Sequence, residues 1–250
     1  FSYVNLWYSD PNLDWKRAFG SSTRISNLKW LLVFRVCLAL FGVATLVVSL
    51  VRNIPRIGGL YFAFLTHWMV YTNVFCLVVS AYNTAKCAKL LGTWGPYNDE
   101  DKPEKEAVPW SIKLGWYLQT ISFPGGLLIA ILYWGLLHFP LGLPFSITSL
   151  LVHGGVWFAM YLDFVFGRYP VRLPHIVWFQ LWAAVYVIFS LVHHVADWRF
   201  PNGQVHEAVY PGFLDWNSAP AFSAILVSSV VFVVCPLLFL LMWSHQFCCR

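Results

Sequence analysis

The sequence predicts an all-α polytopic membrane protein, a compact bundle of six transmembrane helices with both termini cytoplasmic. Three observations carry that expectation. Of the 250 residues, 59% are hydrophobic and only 11% charged, against roughly 25% charged in soluble domains. Six continuous stretches are apolar enough to cross a bilayer core of about 30 Å, which takes about 20 residues of helix. Aromatic residues, 19% of the chain, gather near the ends of these stretches, where amphipathic rings favour the membrane–water interface. A β-barrel is excluded, because barrel strands alternate apolar and polar residues.

In order, the stretches are Leu31–Val51, Gly59–Ala81, Leu114–Leu137, Pro144–Leu162, Leu173–Ala196 and Ala219–His245, read as one domain over residues 1–250. The first carries a single charge, Arg35, one turn from its start, where a long side chain is expected to snorkel to the headgroups. The other five contain no Asp, Glu, Lys or Arg. Pro124, Pro220 and Pro236 mark expected kinks. The short connection His138–Leu143 makes the third and fourth spans antiparallel neighbours. The polar segment Asn98–Glu106 reads as a solvated link, and the longer loop Asp197–Ser218 as a lid over a cavity on the opposite side.

Six spans put both termini on one side, which collects 12 Lys and Arg: Lys16, Arg17, Arg24, Lys29, Lys86, Lys89, Lys102, Lys105, Lys113, Arg168, Arg172 and Arg250. The other side has only Arg52, Arg56 and Arg199. By the positive-inside rule the terminal side is cytoplasmic. The net charge of +5 therefore needs no anionic partner, and no nucleic-acid footprint is present. Among six cysteines, Cys37, Cys76 and Cys235 sit inside apolar runs and read as small buried hydrophobes, while Cys248 and Cys249 have the juxtamembrane placement of palmitoylation sites. No phosphate-binding glycine motif or internal repeat appears, and no cofactor is called for. The chain opens on Phe1, so its natural start is expected upstream.

Polar groups inside a membrane are costly and so point to function. They are Thr66, His67 and Asn73 on span two, Gln119 and Thr120 on span three, Ser149 and His153 on span four, and Gln180 and the pair His193-His194 on span five. Counting 1.5 Å per residue from the outer ends places Thr66 about 10 Å and His153 about 13 Å deep. A hydroxyl and an imidazole at similar depth are the minimum for nucleophilic catalysis on a carbonyl. The bland alternatives are a threonine bonded to its own backbone and a histidine bonded to a neighbouring helix. A second constellation, His193, His194 and Asp197, suits zinc or iron, or a plain histidine–carboxylate pair at the helix end. Asp163, near the inner end of span four, reads as half of an interfacial ion pair.

Several short matches run in order along the chain: Phe64-Leu65-Thr66; Ser122-Phe123-Pro124 with Tyr133-Trp134; Ser149-x-x-x-His153 followed by Asp163; Val192-His193-His194-Val195; and Val209-Tyr210-Pro211-x-Phe213-Leu214. With them the chain resembles the androgen-induced protein and rolling stone group of six-span membrane proteins. The segment YFAFLTHW and Trp15 look closer to the rolling stone branch. The resemblance implies a hydrolase of fatty acid esters of hydroxy fatty acids, with Thr66 as nucleophile and His153 as base, and membrane lipids as surroundings. Ser149, Asn73, His193, His194, Asp197 and Tyr210 would support the pair or contact substrate. Ser149 stands where the androgen-induced branch has Asn, and Gly154-Gly155 where it has a Thr pair. The rolling stone branch is associated with myoblast fusion, so a non-catalytic role in adhesion or fusion is the rival. A metal-dependent lipid enzyme using the histidine-rich outer end is a third reading.

Overall fold

The computed structural model describes residues 15–95, 107–196, 209–210 and 213–248. A short helix, α1 (Trp15–Gly20), precedes six helices long and apolar enough to cross a membrane: α2 (Leu28–Ala63), α3 (Leu65–Leu91), α4 (Trp110–His138), α5 (Ile147–Phe166), α6 (Leu173–Val195) and α7 (Pro220–His245). Among the described residues no strand forms; an isolated bridge joins Tyr210 to Leu214. The six helices follow the six predicted stretches in order.

Their ends differ for local reasons. The side chain of Asn27 caps α2 by accepting the Lys29 N–H at 2.9 Å, which starts the helix at Leu28. The regular helix runs on to Ile57, and Gly58, at φ +57°, turns it into a 3-10 segment, Gly58–Ala63. Residues 59–63 therefore close the first span instead of opening the second, and α3 begins only at Leu65. Thr66 lies in the first turn of α3, not seven residues into it. Ser146 Oγ accepts the Ser149 N–H at 3.0 Å and starts α5 after, not at, Pro144, which puts His153 about 9 Å along its helix.

The three prolines expected to mark kinks sit in different settings. Pro220 occupies the first turn of α7, where its missing N–H costs nothing, and Pro124 lies within continuous α-helix. Three helices widen into π-turns, at Leu132–His138 in α4, Leu151–Gly155 in α5 and Val230–Val234 in α7, the last ending two residues before Pro236. Such turns are rare and concentrate at functional sites.

Helices α3 and α4 form the centre. A Cβ on Gly126 would lie 2.7 Å from Trp157 and 3.1 Å from Asn73 Nδ2, and one on Gly115 would lie 2.7 Å from Asn83 Nδ2. Small residues here permit the close helix approach that substitutes for hydrophobic driving force within lipid. At the terminal end, Trp15 and Phe19 of α1 join Cys87, Trp116, Phe164, Phe239 and Met242 in one cluster, so the first and last described segments meet on the same side. Outward-facing Leu40 and Val47 of α2, Val185 and Ile188 of α6, and Ile225 and Phe232 of α7 are exposed, the apolar exterior that lipid requires.

Arg35 corrects the sequence reading. It does not snorkel: with 1% exposure it turns inward, and its Nε donates to Asp163 Oδ1 at 2.7 Å. Its Nη1 donates to Phe19 O at 2.8 Å and Thr84 Oγ1 at 2.6 Å. Tyr169 completes the arrangement, donating to Asp163 Oδ2 at 2.8 Å with its ring beneath the guanidinium. Asp163 is thus half of a buried ion pair, not an interfacial one. The pair ties α1, α2, α3, α5 and the α5–α6 connection together. It exists because a charge that cannot reach water inside a membrane must meet its opposite.

Candidate functional site

At the end of the bundle away from the termini, α2, α3, α4 and α5 line an open cavity of about 1050 Å³. Thr66, His67, Ser149, His153 and Tyr210, five of the residues singled out in the sequence, line it together with Tyr133. At Thr66, Tyr133, Leu137 and Tyr210 it adjoins a second space of about 120 Å³ between α4, α6 and α7, whose walls are almost wholly apolar. Leu128, Leu132, Val187, Val227 and Val231 supply much of that lining.

His153 is held by two contacts. The π-turn places its ring so that Nδ1 lies 2.9 Å from Ser149 O. A carbonyl only accepts, so Nδ1 carries the proton and Nε2 keeps its lone pair. The ring also stacks on Tyr133, with centroids 3.4 Å apart and planes within 6°. Tyr133 comes from the π-turn of α4, so two irregular helical turns meet around one imidazole. Ser149 supplies its carbonyl to His153, while its N–H is taken by Ser146.

Thr66 differs from its neighbours. Thr72, Thr84 and Thr120 each return their hydroxyl to the carbonyl four residues back, at 2.9, 3.0 and 2.8 Å, the common state of threonine in membrane helices. Thr66 makes no such bond. In the first turn of α3 it sits in the positive end of the helix dipole, with the Tyr210 phenol as its hydrogen-bonding neighbour. The Leu65 N–H donates to the phenols of Tyr210 at 3.0 Å and Tyr186 at 3.1 Å, and Tyr186 donates to Ala63 O at 2.9 Å. Burial pushes the Tyr210 phenol above its ordinary pKa, so it is a neutral O–H at physiological pH.

The remaining sequence candidates lie elsewhere. Asn73 is two turns deeper, 2% exposed and packed against Gly126, so it is an interhelical group and does not contact the cavity. His193 is buried beside Phe189, and the adjacent His194 is half-buried; neither lines the cavity. Asp197 falls outside the described residues, as does most of the loop expected to form a lid, although Val209 and Tyr210 from that loop do line the cavity. Among the described residues no group of three or more His, Cys, Asp or Glu could hold a metal ion. Tyr133, Tyr186 and the placement of His67 were not assigned roles from sequence. Tyr133 was visible only as part of a Tyr-Trp match, and nothing in it announced the π-turn.

In chemical terms the cavity presents a hydroxyl, a neutral imidazole with a free Nε2 and a phenol O–H next to an apolar cleft. Comparison with known proteins agrees with the membrane architecture. The family model for Protein rolling stone matches residues 13–248. Protein rolling stone of Drosophila melanogaster is 22% identical over 213 residues, covering 82% of this chain and 73% of the fly protein. No solved structure matches. With six bilayer-length helices and a family match over nearly its whole length, the chain belongs to the rolling stone family and is a multi-pass integral membrane protein.

Proposed function

We propose that this protein is a membrane-embedded hydrolase of lipid esters, with Thr66 as nucleophile and His153 as general base. The observation that carries the reading is the junction at Thr66. A threonine hydroxyl without a backbone partner lines the same cavity as an imidazole of fixed tautomer, where that cavity adjoins an apolar cleft. Thr66 Oγ attacks the ester carbonyl while His153 Nε2 takes its proton. The oxyanion forms beside the Tyr210 O–H and the N-terminus of α3, whose dipole favours negative charge. His153 returns the proton to the departing alcohol, and water then releases the acyl group from Thr66. The rival reading, adhesion or fusion without catalysis, predicts a filled interior and a threonine bonded to its own backbone; the cavity and the unbonded Thr66 hydroxyl are what favour the hydrolase reading over it.

The cavity mouth supports a substrate with an acidic head. Its formal charges among the described lining residues are Arg52 and Arg56, and no carboxylate accompanies them. Arg52 reaches across to Thr148 Oγ1 at 2.7 Å, tying α2 to α5 over the entrance. An ester of a hydroxy fatty acid fits this order of chemistry, with a free carboxylate at the arginines, the ester at Thr66 and an acyl chain in the cleft. With the lysine- and arginine-rich side cytoplasmic, the cavity opens toward the other leaflet. Detergent-purified protein is expected to release fatty acid from such an ester, and the Thr66→Ala variant to release none while remaining folded. Replacing Arg52 and Arg56 by Gln is expected to lower kcat/KM for the free-acid ester about tenfold, the cost of a lost charge-assisted contact. The methyl-capped ester should be unaffected, and an equal fall for both substrates would remove the arginines from recognition.

A further inference from the structure

The cavity holds a second imidazole built like the first. His67 Nδ1 lies 2.5 Å from Tyr61 O, and its ring stacks on Tyr61 with centroids 3.6 Å apart and planes within 17°. His153 repeats both contacts with Ser149 O and Tyr133. Each Nδ1 therefore carries the proton and each Nε2 keeps a lone pair. Neither Nε2 is sealed in the core or has a protein partner among the described residues, and both rings line the same cavity. They arrive from different helices, His67 from the first turn of α3 and His153 from the π-turn of α5. A histidine that only pinned the turn before α3 would need its Nδ1–H and its stack. An unpartnered Nε2 on the cavity is more than that role requires.

We infer that His67 is a second catalytic base of this site, the one that activates water to release the acyl group; the inference rests on the hydrolase reading above. In acylation the bond from Thr66 Oγ to the carbonyl carbon forms and the alcohol C–O bond breaks. The Thr66 proton passes through His153 to the alcohol, leaving both imidazoles neutral. In deacylation a water oxygen bonds to the carbonyl carbon as its proton moves to His67 Nε2. The carbon–Oγ bond then breaks, the proton from His67 restores the Thr66 hydroxyl, and the fatty acid departs. Water is the only co-reactant.

The test separates the two half-reactions in detergent-purified full-length protein with p-nitrophenyl decanoate and a fluorophosphonate probe. His67→Ala and His67→Asn, the latter keeping an N–H for Tyr61 O, are expected to retain the initial nitrophenol burst and labelling at Thr66. Their steady-state turnover should fall about 100-fold, and hydroxylamine, which attacks an acyl-enzyme without a base, should restore it. Turnover within twofold of wild type in either variant overturns the inference. So does a burst that falls in step with turnover in His67→Ala and recovers in His67→Asn, which would make the residue structural. Wild-type protein without labelling at Thr66 overturns the hydrolase reading, and this one with it.

Discussion

Asp163→Asn is expected to cost about 3–5 kcal/mol of stability, enough to prevent accumulation of folded protein in most expression systems. The magnitude follows from what the substitution strands. Arg35 is 1% exposed and Asp163 fully buried, so removing the carboxylate charge leaves a guanidinium in a low-dielectric interior with only neutral acceptors, the substituted amide oxygen, Phe19 O and Thr84 Oγ1. Tyr169 also loses its charged acceptor. The paired substitution Arg35→Met with Asp163→Leu removes both charges and is expected to recover most of the loss, since buried ion pairs are often replaceable by apolar residues of similar volume. Thermal unfolding of the two variants and the wild type in detergent measures this. A single variant within 1 kcal/mol of wild type would mean that the charge reaches water by another route.

His153→Ala is expected to lower kcat/KM for ester hydrolysis by about 10²–10⁴, the usual contribution of a positioned general base, without loss of folding. The ring is half-buried and on the cavity wall, so its removal opens no core void. Its orientation depends on Tyr133, whose ring lies 3.4 Å away, centroid to centroid. Tyr133→Phe keeps that stack and should keep activity, whereas Tyr133→Ala should lose part of it through a falling kcat. Equal activity in Tyr133→Ala and wild type would show that the stack does not position the imidazole.

The six spans were readable because a lipid solvent imposes one simple requirement, a long run without charge, and the sequence meets it six times. Arg35 was misread for the same reason. Its position near a span end suggested an escape to the headgroups, whereas its partner is 128 residues away in sequence and only tertiary packing brings the two together. Thr66 and His153 were singled out from residue type, depth and family resemblance, yet their depths shifted once Gly58 and Ser146 moved the helix starts. The π-turns, the stacks of His67 on Tyr61 and of His153 on Tyr133, and the knot of Tyr186 and Tyr210 at Leu65 left no periodic trace. Each depends on one backbone irregularity or on a contact between helices distant in the chain. Asn73, by contrast, was singled out because it is polar and intramembrane, and it lies buried beside Gly126, outside the cavity lining.

The most direct measurement is fluorophosphonate labelling of detergent-purified wild-type protein, followed by peptide mapping of the adduct. An activated threonine predicts one adduct on Thr66, absent from Thr66→Ala and strongly reduced in His153→Ala. Folded wild-type protein with no adduct, or with the adduct on another residue, would contradict the assignment of Thr66 as nucleophile.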